Sequence, residues 1–411
     1  MQVLSVLSLA GLAMAAPSLP RREEPAALLT PAKSASANII PDQYIVKMKD
    51  AAEVSVASIK YKAKNTYKSN GFKGFAATLT AEQLKEVRDD PNVDYVEHDQ
   101  KIDLFEYLSQ EDAPWGIARI SHTENGATNY LYDSSAGEGT CVYVIDTGIK
   151  VDHPDFEGRA EWVQNFTDDG NDDDVSWVND PLTLEGTNHR YADPFPSAGH
   201  GTWVAGLVAS ATYGVAKKSK VLALKVFRDD GTTDGASIIA AMDYVVQDAP
   251  NRDCPSGHIA NMSLGGGYSQ TSNDAADAMV NAGVFVAVAA GNSNVDAAET
   301  SPASAPLVCT VGATDSSDSK ADFSSYGEVV DVWAPGVDLE STSYEGGSTS
   351  ASGTSGASPI VAGLGAYLMT LEGLEGGEGV CDRIKELSVK DILANIPEGS
   401  ANQLAYNGAV E

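Results

Sequence analysis

The segment CVYVID at residues 141–146 decides the fold class of this chain. It is short and rich in β-branched and other apolar residues, and its only charged side chain is the last one, Asp146. Strands that are apolar on both faces are typical of buried parallel sheets. Four later segments have the same character, namely VLALKVF (221–227), HIANMSL (258–264), VFVAVAA (284–290) and LVCTVGA (307–313).

Helical patterns alternate with these strands. The candidates are GTWVAGLVAS (201–210), GASIIAAMDYVVQD (235–248), NDAADAMVNAG (273–283) and SGASPIVAGLGAYLMTLE (355–372). Alternating apolar strands and helices predict an α/β domain with a doubly wound parallel sheet. Reactive residues in such sheets collect at the carboxyl ends of the strands and at the starts of the following helices.

A smaller α+β domain is predicted over residues 42–101. Its patterns alternate as β-α-β-α-β: strand YIVKM, a helix over 51–65, strand FKGFAATL, helix TAEQLKEVRDD and strand VDYVEHD. Thr80 is expected to cap the second helix, with Gln83 at the capping-box position. Residues 17–42, rich in Pro, Ala and Ser, are expected to be a flexible leader.

The first residues predict a secretory signal peptide over 1–15. They are apolar and uncharged, and Ala13-Met14-Ala15 has the small-x-small pattern of a signal-peptidase site. The residues therefore predict a signal peptide at 1–15, a leader, the small domain, a linker around 100–112 and the large domain beyond it. No later run reaches about 18 uninterrupted apolar residues, so we expect no membrane anchor.

Charge excludes one class of partner. The 411 residues include 58 acidic and 27 basic side chains, a formal net charge of −31. Residues 17–107 hold 13 basic and 14 acidic side chains, so nearly all of the excess acid belongs to the large domain. Because phosphate binding needs clustered Lys and Arg, nucleic acid is excluded as the main partner.

The four cysteines suggest an oxidising compartment. Their wide separations are typical of two disulfides and do not have the spacing of a zinc or redox site. Four cysteines allow three connectivities, and their order alone does not choose among them. They are Cys141, Cys254, Cys309 and Cys381.

Three residues at strand or helix ends have the side chains of a nucleophilic catalyst. Asp146 closes a strand, His200 lies in GHGT at a helix start, and Ser355 lies in SGTS at another. Acyl transfer needs a hydroxyl nucleophile, an imidazole that takes its proton and a carboxylate that orients the imidazole.

Asn292, in AAGN, follows a fourth strand and can donate to a tetrahedral oxyanion. Residues 263–267, SLGGG, can bind an extended peptide by strand addition.

The order Asp, His, Ser differs from that of α/β-hydrolases and of chymotrypsin-like enzymes. DTGI, GHGT, AAGN and SGTS, in this order, resemble the signature segments of subtilisin-family serine proteases. APWGIARI, SPASAPLVCTVGATD and GLGAYLMTLE are similar to the fungal proteinase K branch, so the resemblance spans residues 113–409. The small domain resembles the inhibitory, chaperone-like propeptide of these enzymes.

This resemblance implies a secreted serine endopeptidase with a subtilisin-type fold, made as a self-processing precursor. The precursor would be cut near Tyr107-Leu108, which divides it into a propeptide at 16–107 and a peptidase domain at 108–411. It implies a monomer that acts on proteins or peptides, has its own propeptide as inhibitor and folding aid, and needs no organic cofactor. The implied residue roles are a triad of Asp146, His200 and Ser355, an oxyanion donor Asn292, and specificity-pocket walls Ser263, Leu264, Gly265, Ala290 and Gly291. The implied structural elements are disulfides Cys141–Cys254 and Cys309–Cys381, and a calcium site of Pro306, Val308 and Asp331.

Two departures from the family pattern bear on function. The family usually has His where Trp203 stands and Met where Gly356 stands, directly after the predicted nucleophile. We expect altered packing and specificity rather than inactivity, because neither position performs proton transfer. A rival hypothesis is a secreted binding or decoy protein that keeps the fold without the activity. An intracellular processing protease is disfavoured by the signal and the cysteines.

Overall fold

The computed structural model describes residues 24–30, 39–69, 71–101, 107–170 and 199–409. The predicted signal peptide and residues 171–198 lie outside these ranges. The described residues up to Lys101 form one compact unit, and those from Tyr107 onward form another. Among the described residues, no helix has the length and apolar character needed to cross a membrane.

The small unit is a five-stranded sheet with two helices. Its strand order is β1-β5-β2-β4-β3, and only the pairing of β1 with β5 is parallel. Val46, Phe75 and Val96 are fully buried at its centre. The elements are β1 (Ala27–Leu29), β2 (Ile39–Met48), α1 (Val54–Lys60), β3 (Asn65–Ser69), β4 (Phe72–Thr78), α2 (Ala81–Arg88) and β5 (Val93–Gln100).

The predicted β-α-β-α-β pattern lacks two of these strands. The first helix was expected to run to residue 65, but it ends at Lys60 because Lys62 adopts a left-handed conformation (φ 51°), and β3 follows. β1 lies in the segment predicted as a flexible leader, where the Ala26 carbonyl accepts a hydrogen bond from Arg88 Nε (2.8 Å). The capping box of Thr80 and Gln83 is present as predicted.

The large unit contains the remaining helices and strands. They are β6 (Tyr107–Gln110), α3 (Trp115–Arg119), β7 (Tyr130–Asp133), β8 (Thr140–Asp146), β9 (Ala160–Asn165), α4 (His200–Ala209), β10 (Lys220–Lys225), α5 (Gly235–Asp248), β11 (Gly257–Met262), β12 (Gly266–Gly267), α6 (Gln270–Asn281), β13 (Val284–Ala289), β14 (Thr300–Ser301), β15 (Cys309–Thr314), β16 (Val332–Pro335), β17 (Leu339–Thr342), β18 (Ser348–Ala351), α7 (Thr354–Glu372), α8 (Glu378–Leu387), β19 (Val389–Lys390) and β20 (Gln403–Leu404).

The main sheet has nine strands in the order β19-β20-β16-β15-β13-β11-β8-β10-β9. Every pairing is parallel except that of β19 with β20, an antiparallel edge that the sequence did not indicate. Alternate residues of β8 enter two separate cores: Val142 and Val144 pack with α4 and α7, whereas Tyr143 and Ile145 pack with α5 and α6. Helices therefore cover both faces, as predicted for a doubly wound sheet.

The strand order reverses at β8, which has β10 on one side and β11 on the other. Open α/β sheets bind ligands at the carboxyl ends of strands where the order reverses. The residue at that end of β8 is Asp146. The sheet topology thus directs attention to the predicted triad carboxylate.

Two disulfides join distant segments of the large unit. Cys141 on β8 bonds to Cys254, and Cys309 on β15 bonds to Cys381 on α8. This is the pairing that the family resemblance implied, out of the three that counting allowed. Both disulfides tie a central strand of the sheet to a peripheral segment.

Candidate active site

Asp146 and His200 form a buried hydrogen-bonded pair. Asp146 is 1% exposed, and its Oδ1 lies 2.8 Å from His200 Nδ1 and 2.7 Å from the Thr147 amide nitrogen. A carboxylate only accepts, so we assign the Nδ1 proton to His200, which leaves Nε2 as the basic nitrogen. The pair is therefore in the tautomer that a general base requires.

Backbone contacts bring the two elements that carry this pair together. The Gly201 amide donates to Thr147 Oγ1 (2.9 Å), which ties the first turn of α4 to the end of β8. A Cβ on Gly201 would lie 2.1 Å from the Gly148 carbonyl oxygen, so only glycine allows the approach. Gly199, with φ 76°, occupies the left-handed region directly before His200.

Ser355 lies in the first turn of α7 and is fastened to the end of β11. Its Oγ donates to the Ser263 carbonyl (3.3 Å), and Ser263 Oγ donates to the Ser355 carbonyl (2.9 Å). Ser355 and His200 line the same cavity of about 630 Å³. Backbone N–H groups in the first turn of a helix have no intrahelical acceptor, so the Ser355 amide is available to a ligand.

A buried polar chain supports this attachment. Asn261 Nδ2 donates to Ser263 Oγ (3.0 Å), and Ser358 Oγ donates to Asn261 Oδ1 (2.6 Å). Asn261 and Ser358 are both fully buried. Sequence reasoning did not select them for the site, although an Asn within the apolar strand HIANMSL was a signal, since a buried amide needs polar partners.

Asn292 is oriented by Thr354, a residue that sequence reasoning also missed. Asn292 Oδ1 accepts hydrogen bonds from the Thr354 amide and from Thr354 Oγ1, both at 2.8 Å. Thr354 Oγ1 in turn accepts from the Gly291 amide (3.1 Å). The oxygen of the Asn292 side chain is held in this way, and its Nδ2 lies near Gly353. A Cβ added to Gly353 would be 3.4 Å from Nδ2.

The predicted pocket walls meet at the same cavity. All five, Ser263, Leu264, Gly265, Ala290 and Gly291, line it together with Asn292. Beyond them, β12 pairs in antiparallel fashion with β14, so one edge of the Gly266–Gly267 segment is already occupied. Both glycines are exposed. A peptide that binds by strand addition would have to pair with the second edge of β12.

Asp331, predicted as a calcium ligand, has a protein cation beside it. Its Oδ1 lies 3.4 Å from Lys385 Nζ, and its Oδ2 accepts from the Thr310 amide (2.9 Å). Burial raises the pKa of the Asp331 carboxyl. Cys309 and Cys381 lie against this carboxylate, but they form a disulfide and cannot ligate a metal. Sequence reasoning gave no role to Lys385.

Comparison with known proteins agrees with this geometry. The protein-family model described as "Subtilase family" matches residues 137–393, which is more than half of the chain. The chain belongs to the subtilase family. A second model, described as "Peptidase inhibitor I9", matches residues 52–105. This subtilase is therefore a subtilisin-like serine protease with an inhibitor-type propeptide domain, and the predicted family and enzyme class are confirmed.

Individual relatives cover nearly the whole subtilase. A "Cuticle-degrading protease" of Metarhizium anisopliae is 46% identical over 415 aligned residues, spanning 100% of both chains. "Proteinase R" of Parengyodontium album is 44% identical over 98% of both. The crystal structure of a cold adapted subtilisin-like serine proteinase has a TM-score of 0.63 and 34% identity, and it covers 73% of this chain and 100% of its own. The predicted subtilisin-type fold is confirmed.

Proposed function

We propose that this subtilase is a secreted endopeptidase in which Ser355 is the nucleophile, His200 the general base and Asp146 the group that orients the imidazole. The observation that carries the proposal is the 2.8 Å hydrogen bond between the buried Asp146 carboxylate and His200, beside a cavity that Ser355 also lines. Secretion is supported by the apolar segment 1–15 and by the two disulfides.

Acylation begins with a rotation of the Ser355 hydroxyl. Its Oγ donates to the Ser263 carbonyl and has to turn toward His200 Nε2 to give up its proton. Oγ then bonds to the substrate carbonyl carbon as the proton moves to His200, and His200 returns that proton to the leaving amine. Asp146 stabilises the imidazolium formed between these steps, and water releases the acyl group by the reverse sequence.

Two donors are proposed for the oxyanion, namely Asn292 Nδ2 and the Ser355 amide. Removal of a side-chain donor of this kind costs about 10² to 10³ in turnover. Thr354 is proposed as a positioning residue, because its hydroxyl and amide both hold Asn292 Oδ1 and so decide which end of the amide is presented.

Maturation is proposed between Tyr107 and Leu108. Residues 108–110 pair with β7 in the register Leu108↔Tyr132 to Gln110↔Tyr130. Gln110 Nε2 also donates to the Thr212 carbonyl (3.0 Å). A chain that starts at Leu108 keeps these pairings, so cleavage leaves the new terminus attached to the large domain.

The first test is Ser355→Ala in the full-length chain. We expect a folded precursor that stays uncleaved, because the nucleophile for self-processing is missing, whereas Ser348→Ala on β18 should mature normally. Gel mobility and N-terminal sequencing measure this. Normal processing of Ser355→Ala would contradict the triad assignment.

Absence of an organophosphonate adduct on Ser355 in mature wild-type protein would favour the decoy hypothesis.

The second test is Thr354→Val, with Thr354→Ser as its matched control. Valine keeps the shape but removes the hydroxyl that donates to Asn292, a hydrogen bond worth on the order of 1 kcal/mol. We expect kcat to fall about fivefold to tenfold with KM little changed, while Thr354→Ser stays near wild type. Steady-state kinetics on a peptide substrate measure both constants. A large change in KM with kcat unchanged would argue against a role at the oxyanion.

The subtilase family needs no organic cofactor, and calcium is proposed as a structural ion. The Asp331 carboxylate would hold it with the carbonyls of Pro306 and Val308, all hard oxygen donors suited to this ion. The carboxylate lies against the disulfide of Cys309, the residue that follows Val308. Lys385 competes for the same carboxylate, so we propose that its ammonium weakens calcium binding.

The third test is Lys385→Met, with the exposed Lys220→Met as control. Loss of the competing ammonium should lower the calcium concentration for half-maximal thermal stabilisation by about fivefold, because a partly exposed ion pair is worth on the order of 1 kcal/mol. Asp331→Asn should abolish the calcium effect. Thermal unfolding of inhibitor-blocked enzyme over a calcium series measures this. Identical titrations of wild type, Lys385→Met and Asp331→Asn would rule out the site.

A further inference from the structure

Trp203 is buried beside the catalytic pair. It lies one turn after His200 on α4, is 1% exposed, and its ring centroid is 6.1 Å from that of the imidazole with the planes tilted by 43°. Its indole Nε1 donates to the Leu339 carbonyl on β17 (3.1 Å). The indole is thus held by a hydrogen bond as well as by packing.

The first turn of α7 meets the far edge of this indole. A Cβ on Gly356, the residue directly after Ser355, would lie 2.7 Å from Trp203 Cη2 and 2.8 Å from Leu339 Cδ1. Real Cβ atoms essentially never approach other heavy atoms within 3.0 Å. Trp203 and Gly356 therefore fit each other, and the two departures from the family pattern are two sides of one contact.

Strand β17 also holds this turn of α4 through its backbone. Ser341 Oγ donates to the Trp203 carbonyl and Thr342 Oγ1 donates to the Thr202 carbonyl, both at 2.8 Å. α4 therefore has little freedom to move away from α7 when extra volume is inserted between them. Added volume at Gly356 has to be taken up by α7, which carries Ser355.

We infer that Trp203, seated against Gly356, is a positioning residue that sets the spacing between His200 and Ser355. The inference rests on the proposed function, because this spacing affects catalysis only if His200 is the base and Ser355 is the nucleophile. The indole is a rigid spacer: it has two rotatable bonds, its Nε1 is anchored, and its edge touches the backbone next to the nucleophile. Misplacement of reacting groups by about 1 Å can cost on the order of 10² in rate.

The decisive variants form a double-mutant cycle. Gly356→Ala adds a Cβ only 2.7 Å from Trp203 Cη2, and we expect kcat to fall at least tenfold with KM within about twofold of wild type. Trp203→Phe lacks the outer indole ring and the Nε1 donor, and its kcat should fall about threefold to tenfold. In Trp203→Phe/Gly356→Ala the smaller ring removes the Cη2 contact and leaves Leu339 Cδ1 room to turn away from the Cβ. We expect kcat to rise above that of Gly356→Ala and to lie within about threefold of the Phe single variant.

Gly379→Ala is the matched control, since Gly379 is exposed in α8 and a Cβ there meets nothing within 4 Å. Active-site titration with an organophosphonate counts the competent enzyme, so misfolded protein does not enter kcat. The acid limb of the pH profile of kcat/KM gives a readout of His200 that a loss of stability alone would not move. We expect this limb to shift in Gly356→Ala and to return in the double variant.

Several outcomes would overturn the inference. Wild-type kcat in Gly356→Ala, or a double variant no better than Gly356→Ala, would show that the contact does not position the pair. If Gly356→Ala fails to fold, Trp203→Phe alone decides: a kcat equal to that of wild type contradicts the role. Failure of the proposed function is distinguishable, because Ser355→Ala would then retain activity whatever the Trp203 variants do.

Discussion

The hydrogen bond between Asp146 and His200 is the interaction on which the rest of the active site depends. A carboxylate that is 1% exposed has lost most of its hydration, and this loss has to be offset by donors. The Thr147 amide and His200 Nδ1 supply two of them at 2.7 and 2.8 Å, both to Oδ1. Both are available because the parallel sheet ends at Asp146 and Gly201 lets α4 approach β8 to backbone contact. The sheet therefore determines where the proposed base lies as well as where the substrate cavity opens.

The sequence predicted well the strands and helices that have a regular apolar pattern, and the site residues that lie at the end of a strand or the start of a helix. Strands such as β8 and β13 are apolar on both faces, a pattern that only a sheet covered by helices accommodates. The features missed depend on local conformation or on neighbours remote in sequence. The left-handed Lys62 ends α1 early, a choice that the helical pattern around it did not reveal. Thr354 stood next to the predicted nucleophile, but its function depends on Asn292, 62 residues away.

Lys385 shows how a cation of the protein can lie beside a carboxylate that is proposed to bind calcium. Burial raises the pKa of the Asp331 carboxyl, so a nearby cation favours the ionised form. Lys385 is such a cation, and Asp382 lies 2.9 Å from its ammonium and helps hold it there. A tethered ammonium needs no metal in the medium, whereas calcium brings twice the charge and several oxygen contacts. Which of the two cations would bind Asp331 depends on Lys385, because its partly exposed side chain can move away from the carboxylate.

Glycines next to the proposed reacting residues let neighbouring groups approach the backbone of α4 and α7 closely. Gly201 follows His200 and Gly356 follows Ser355, and at each the neighbouring group lies closer than a Cβ permits. Where backbone meets a side chain this closely, the volume of one partner fixes that of the other, because α4 is also tied to β17 by Ser341 and Thr342. Trp203 is compatible with the proposed catalysis because residue 356 has no side chain. We therefore expect the side chain tolerated at position 356 to depend on the one at position 203, since a Cβ on residue 356 meets the indole.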